Sequence, residues 1–393
     1  MRRAPVPADP LPEPDADARV HAARVRAAID AAIDAGGGFL PLADYIGLAL
    51  YAPGLGYYAA GARKFGRDGD FVTAPEMTPL FGQALATQVA AILASSGART
   101  IVEPGAGSGR LAIDLVRALA LADALPAHYV IVEPSPDLRE RQREAVARDL
   151  PALVDRFAWV AAPPDRIDGA ILMNEVLDAV PPEVVVRAEG RWLRRGVVRA
   201  AGGGLALADR PLDDARLVAL ARDRFPPAID YASEVNPAAE ALVEDLGRRL
   251  FRGAMLAIDY GFPRHEYYHP QRAAGTLMAH YRHRASADPL LWPGLADITA
   301  HVDFTAVAEA GARAGLEVAG YASQAAFLVG CGIVDRLAAV GDPTSAAYLR
   351  EASAVQALTS PAEMGELVKV IALERGASIA WPGFAFGDAS HRL

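Results

Sequence analysis

The chain holds one cysteine, Cys331, in 393 residues. No intrachain disulfide can form, and a cysteine-rich structural zinc site is excluded. Cys331 stands among Val329, Gly330 and Gly332, the setting of a small buried side chain and not of a nucleophile. Long apolar runs are missing too: none reaches the roughly 18–20 residues of a bilayer-spanning helix, so membrane insertion is not expected. Positive charge is in deficit, with 39 Lys and Arg against 48 Asp and Glu and a formal net charge of −9. Without a global basic field nucleic acid is not an expected partner, whereas a basic protein segment is electrostatically acceptable. The histidines show no H-E-x-x-H or comparable spacing, so no metal is expected. No internal repeat is evident. Residues 1–17, rich in Pro, Ala and Asp, lack the apolar core of a signal peptide and are expected to form a disordered arm; the expected compartment is the cytoplasm.

What is present is a core-forming composition, 52% hydrophobic residues, and one stretch around which the rest is organised. Residues 101–111 read Ile-Val-Glu-Pro-Gly-Ala-Gly-Ser-Gly-Arg-Leu. Ile101 and Val102 end a buried strand, and Leu111, Ile113, Leu115 and Val116 continue at helical spacing. Between them Gly105, Gly107 and Gly109 alternate, which permits unusual backbone angles and close approach of a ligand to the main chain. A strand–glycine turn–helix unit is a common nucleotide cradle. The dinucleotide fingerprint G-x-G-x-x-G fails from Gly105, where its third position is Arg110, and fits from Gly107 only in the looser form ending at Ala112. The pattern Glu103-x-Gly105-x-Gly107-x-Gly109 resembles motif I of class I methyltransferases, which bind S-adenosylmethionine.

Helices are expected over 18–35, 41–50 and 79–94, the last capped by Thr78 or Thr73. An alternating pattern follows, with strands at 100–103, 128–132, 157–160 and 169–173 and helices at 109–120 and 136–149. A helix at 237–251 and strands at 253–258, 316–322 and 367–374 continue it. Segments 184–187, 192–198 and 205–207 read as inserted antiparallel strands. The fold class is α/β, a Rossmann-like methyltransferase sheet with an N-terminal helical extension and inserted antiparallel strands or lid segments. The expected layout is the arm at 1–17, a helical and loop cap at 18–98, a core at 99–377 with insertions near 182–230 and 262–300, and a loosely attached tail at 378–393.

Polar groups gather where the strands end. Glu133 follows the second strand, where an acid can accept hydrogen bonds from both ribose hydroxyls. Asn174, Glu175 and Asp178 follow the fourth, at the carboxyl edge where open α/β sheets bind ligands. The loop 65–76 is too polar and glycine-rich for a core element and reads as functional. The aromatic, turn-rich stretch 262–300 reads as a lid or binding loop.

Five segments together carry a family resemblance: residues 65–82 (FGRDGDFVTAPEMTPLFG), 103–109 (EPGAGSG), 174–181 (NEVLDAVP), 259–261 (DYG) and 297–304 (DITAHVDF). In content and order they resemble the MidA-type methyltransferases, whose eukaryotic members act as mitochondrial complex I assembly factors. The resemblance implies a class I methyltransferase with S-adenosylmethionine as donor and an arginine-containing protein segment as partner, since eukaryotic relatives are associated with arginine methylation of a complex I subunit. On that reading Gly105, Gly107 and Gly109 pass the amino-acid and ribose portions of the donor, with Glu103 opening the motif. Glu133 binds the ribose, Thr73 and Pro75 line the donor side, and Asn174 holds the methionine portion. Glu175 and Asp178 are the first candidates to hold a guanidinium, which stays protonated near neutrality and suits bidentate carboxylate bonds. Asp303 and His301 are the second pair, His301 as proton acceptor, although Asp303 is equally placed to cap a helix. Glu76 is a reserve for the acceptor or an orienter of the donor. The competing readings are a small-molecule methyltransferase, whose acceptor the aromatic loop would enclose, and a donor-binding assembly factor with little turnover. A nicotinamide dehydrogenase is more distant, and homo-oligomerisation is left open.

Overall fold

The computed structural model describes residues 12–59, 73–227 and 229–393; most of the expected arm and residues 65–72 of the polar loop lie outside the described residues. Apolar runs set the centre. Ala170–Met173 and Ala254–Ile258 are buried on both faces, as expected of parallel strands covered on two sides. They belong to a core sheet made of β1 (Thr100–Pro104), β2 (His128–Val132), β3 (Phe157–Val160), β4 (Ile167–Asn174), β5 (Leu250–Phe262), β6 (Glu317–Ser323) and β7 (Val368–Arg375). The order is β6-β7-β5-β4-β1-β2-β3, and Val302–Asp303 pairs with the end of β5. β1 to β5 are parallel, and β7 runs antiparallel between β5 and β6. The direction of winding reverses between β1 and β4, the position where such sheets open a crevice at their carboxyl ends.

The chain enters through α1 (Ala16–Ala35) and α2 (Leu42–Tyr51), followed by the single turn α3 (Ala74–Met77) and by α4 (Pro79–Ser96). Thr78 caps α4 by accepting the Leu80 N–H at 3.0 Å. After β1 and β2 come α5 (Arg110–Leu121) and α6 (Pro136–Asp149). Period-two alternation splits the strands between two cores. Ile101, Ala170, Leu172 and Leu256 pack with α4 and α5, whereas Val102, Ile171, Met173 and Met255 pack with helices Pro237–Arg249 and Phe304–Arg313.

Three expectations of organisation change. The cap does not end at residue 98, because α4 packs into the core, while α1 and α2 pack with residues of both insertions in a separate apolar cluster. Pairing of Leu40 with Val197 draws the N-terminal segment into a five-stranded sheet with strands Glu183–Ala188, Arg191–Arg199, Leu205–Pro211 and Tyr231–Val235. The expected loop 262–300 contains a three-stranded sheet, Met278–Tyr281, Arg284–Ser286 and Asp297–Thr299. The tail is not loose. Phe384 is buried against Gly320 and lies 5.3 Å from the Phe327 ring, while Gln88 donates to the Ala380 carbonyl and accepts the Gly383 N–H.

At the opposite edge of the sheet, Gly169 (φ 141°) and Gly253 (φ 127°) are register partners. A Cβ on Gly253 would stand 1.9 Å from the Gly169 carbonyl oxygen. Both the backbone angle and the contact exclude a side chain. Gly253→Ala is expected to lose about 2–4 kcal/mol of stability, read as a lower urea midpoint. A loss under about 0.5 kcal/mol, within the range of surface substitutions, would show that the central strands have room to part.

Candidate functional site

The carboxyl ends of β1, β2, β4 and β5 open into a cavity of about 1090 Å³, whose outer wall comes from α2, the segment after it and the insertion near 262–300. The glycine turn forms its floor. Gly105, Gly107 and Gly109 have φ of 67°, 55° and 80°, left-handed values that other residues adopt only at a cost. Two side chains pin the turn: Gln142 donates to the Gly107 carbonyl at 2.9 Å, and Ser108 donates to the Glu76 carboxylate. Gly105 and Gly107 line the cavity. Gly109 does not; it is the N-cap of α5, so its place in the site is to turn the chain. A Cβ on Gly105 would lie 3.3 Å from Val176, so the absence of a side chain keeps the cradle open.

The donor-side acids are buried. Glu103 accepts the Tyr129 hydroxyl at 2.7 Å, and burial pushes its carboxyl up to about 7. Glu133 accepts the Ser135 N–H at 2.9 Å and is raised by burial, so it sits fixed at the cavity edge beside the start of α6. Thr73, Pro75, Glu76 and Asn174 also face the cavity. Asn174 donates to Glu175 at 3.2 Å, but its Oδ1 is buried without a partner. A cradle without a Cβ, a fixed acid beyond the second strand and an unused amide oxygen fit a nucleoside joined to an amino acid.

The acidic side of the cavity depends on Asp259, whose role the sequence pattern does not reveal. Asp259, at the end of β5, is 1% exposed. Its Oδ2 accepts the N–H groups of Val176, Leu177 and Asp178 at 3.1, 2.8 and 3.4 Å, and its Oδ1 accepts that of Tyr260 at 2.9 Å. These bonds fold the chain after β4 across the sheet edge. Glu175 takes a left-handed φ of 52° there, a conformation that costs a non-glycine residue about 1–2 kcal/mol. Its Oε1 accepts from Asn174 and, at 3.4 Å, from the Ala74 N–H, while its Oε2 is buried and unpaired. Asp178 is buried beside it, and Asp297 reaches the same cavity from the three-stranded sheet, where Tyr58 donates to it at 3.0 Å. Asp297 was also without an assigned role, because only tertiary pairing brings its strand here.

Burial, and then the charge of Asp259, push Glu175 up to about 8 and Asp178 well above the ordinary carboxylate range. Burial also raises Asp259, to about 7, against the pull of its four N–H donors. Those donors favour its anion, so Asp259 is the charged member and Asp178 the protonated one when no cation is present. His301 lines the same wall, with its ring 5.3 Å from Phe262 and 6.5 Å from Tyr260. Burial, then Arg272 and His280, hold it down to about 4, and its Nδ1 is buried without a partner. It is a neutral imidazole near neutral pH. Asp303 is a correction. Its Oδ1 caps helix Phe304–Arg313 by accepting the Ala306 N–H at 3.1 Å, its Oδ2 lies 3.2 Å from Arg264 Nε, and it does not line the cavity. The capping alternative prevailed because both carboxylate oxygens are engaged.

Comparisons with known proteins bear on this geometry. The sequence profile of a family described as "Putative S-adenosyl-L-methionine-dependent methyltransferase" matches residues 82–322, more than half of the chain. A crystal structure from Burkholderia thailandensis, bound to S-adenosyl-homocysteine, is 48% identical, superposes with a TM-score of 0.94 and covers 98% of this chain and 100% of that one. The protein arginine methyltransferase NDUFAF7 homolog, mitochondrial, of Drosophila melanogaster is 28% identical over 376 residues, 86% of this chain and 82% of the relative. Its Mus musculus counterpart is 28% identical over 369 residues, 86% and 81% of the two chains. The chain belongs to the MidA-type family of S-adenosyl-L-methionine-dependent methyltransferases, with S-adenosylmethionine as its methyl donor.

Proposed function

We propose that the protein methylates an arginine side chain of a protein substrate. The observation that carries this reading is the convergence of Glu175, Asp178 and Asp297 in the cavity that also contains the glycine turn. Three carboxyl groups, two of them held protonated by burial and by the charge of Asp259, form a site that a guanidinium would ionise on entry. The aromatic faces of Tyr51 and Tyr58, stacked at 5.5 Å, add a surface suited to a planar cation. The names of the curated relatives support the same acceptor.

When bound, S-adenosylmethionine supplies a methyl group already activated on a sulfonium. The chain's part is alignment and proton management. Glu133 and the turn at Gly105 and Gly107 hold the donor side, with Thr73, Pro75 and Glu76 beside them. Glu175 and Asp178 orient the guanidinium and stabilise its positive charge by charge-assisted bonds. As a carbon–nitrogen bond forms and the carbon–sulfur bond breaks, the methylated nitrogen must lose a proton. The candidate to accept it is the His301 imidazole, which lines the same cavity and has an unused Nδ1.

Three outcomes are expected. Glu133→Ala weakens S-adenosyl-homocysteine binding by about 10–100-fold in calorimetry, the worth of charge-assisted hydrogen bonds; unchanged affinity would remove Glu133 from the ribose role. Incubation with labelled donor and host lysate, followed by mass spectrometry, yields methylated arginine, and Glu175→Gln lowers the yield by at least about 100-fold with little change in donor affinity. Lysine or small-molecule products without arginine would sink the acceptor assignment.

The third concerns stability. Glu175 in the folded protein titrates near 8 against 4.5 in the open chain, so between these values the folded state holds a proton that the unfolded state lacks. Stability conferred by that proton is present at low pH and is lost as pH rises through the folded value. Glu175→Gln therefore gains on wild type as pH rises from 5 to 8, by on the order of 1–3 kcal/mol in thermal unfolding. A difference that does not vary with pH would mean that Glu175 is ionised throughout.

A further inference from the structure

Strand Tyr231–Val235 of the five-stranded sheet carries a carboxylate that the chemistry above leaves unused. Glu234 is 2% exposed. Its partners are neutral donors, the Ser233 hydroxyl at 3.3 Å on its own strand and the rest on the insertion that walls the cavity. Thr276 N–H lies 3.0 and 3.1 Å from its two oxygens, Leu277 N–H 3.0 Å from Oε1, and Thr276 Oγ1 3.3 Å from Oε2. The Tyr267 hydroxyl donates at 3.1 Å, and Tyr268 donates to the Glu234 main-chain carbonyl at 3.0 Å. The turn presses so close that a Cβ on Gly275 (φ 77°) would stand 2.3 Å from Oε1.

This turn is cavity wall: Gly275, Thr276 and Met278 all face the site. The Thr276 hydroxyl also accepts the His301 N–H at 3.0 Å. One buried carboxyl group, through one threonine, therefore sets both the turn and the backbone of the candidate proton acceptor. Glu133 and the glycine turn are carried instead by β2, β1 and the loops that leave them, on the core sheet.

We infer that Glu234 is a positioning residue for the acceptor half of the site, fixing the turn 275–277 and, through Thr276, the place of His301. The inference rests on the methyl-transfer reading for what the wall serves, but the hydrogen-bond chain does not depend on which acceptor enters. Removing the carboxyl should loosen the wall and leave the donor cradle as it is.

Two variants test this. Glu234→Gln keeps the shape and turns an NH₂ group toward the Thr276 and Leu277 donors. Thr276→Val removes only the hydroxyl that links Glu234 to His301, so the test survives if the first variant folds poorly. S-adenosyl-homocysteine affinity by calorimetry is expected to stay within about two-fold in both, since no donor contact is removed. With labelled donor and lysate protein at fixed concentration, turnover should fall about 10-fold or more in Glu234→Gln and less in Thr276→Val, with KM for the donor unchanged, because displacement of a catalytic group slows the step without loosening donor binding.

A readout independent of the acceptor is the titration of His301 by ¹³C-histidine NMR, assigned by loss of its signal in His301→Gln. In wild type it is held down to about 4 by burial and by neighbouring Arg272 and His280, between the rings of Tyr260 and Phe262. Its midpoint should rise in both variants as water reaches the ring. Wild-type turnover with an unmoved His301 midpoint would overturn the inference. Loss of donor affinity by more than about 10-fold in both variants would also overturn it, because Glu234 would then support the whole site. Failure of the arginine assignment shows instead in product identity, with the donor and His301 readouts intact.

Discussion

Four backbone N–H groups converge on the Asp259 carboxylate, and the turn that carries Glu175 and Asp178 into the cavity depends on that convergence. β4 and β5 are aligned so that Asn174 pairs with Ile258, one residue before Asp259. The chain leaving β4 is caught at once: Glu175 donates to the Ile258 carbonyl, and the next three N–H groups turn onto Asp259. Hydrogen bonds to a charged acceptor exceed neutral ones in strength, which offsets the left-handed backbone of Glu175. Burial first, and then the same charge, raises Glu175 and Asp178. A single buried acid thus sets the geometry of Glu175 and Asp178 and adds to the effect of burial on their protonation.

The cavity is completed by parts of the chain far apart in sequence. Tyr51 of α2 donates to the Ala179 carbonyl at 2.8 Å, and the Asp178 carbonyl accepts the Ala300 N–H at 3.1 Å. The turn after β4 is therefore held from below by the core sheet and from above by the cap. The cap is itself one apolar body, with Val25, Ile29 and Tyr45 packed among Val184, Val197, Tyr281 and Ile298. Gly105, Gly107 and Glu133 come from the core sheet and its loops, whereas Asp297, Tyr58 and Thr276 reach the cavity from the cap and insertion.

Local signals were readable in the chain. The turn after β1 follows from alternate glycines between a strand and a helix, since few other residues tolerate those angles. The β4 edge was legible because an apolar run ends abruptly in Asn174 and Glu175. Asp303 shows the limit of such reading. An acid before a helix has the same local pattern whether it caps or binds, and only the position of Arg264 and the Ala306 N–H decides. Leu40–Pro41 is too short to carry a period, and its strand exists only because Val197 pairs with it. The tail looked detachable because its apolar residues, Trp381 and Phe384, have no periodic neighbours; Phe384 packs on Gly320 and Phe327, and Trp381 packs on Phe384.

By itself the sequence determined the α/β class, the glycine cradle, Glu133 at the second strand and the acidic end of the fourth, because each is written in contiguous residues whose backbone preferences and polarity act locally. Tertiary structure decided the rest: that Asp259 organises the turn after β4, that Asp297 joins it from another layer, that Glu234 bonds to the turn at Thr276 and that Asp303 caps a helix. The reason is physical. Burial and the nearness of other charges and donors set what a carboxylate does, and those are properties of the packed chain and not of its neighbours in sequence.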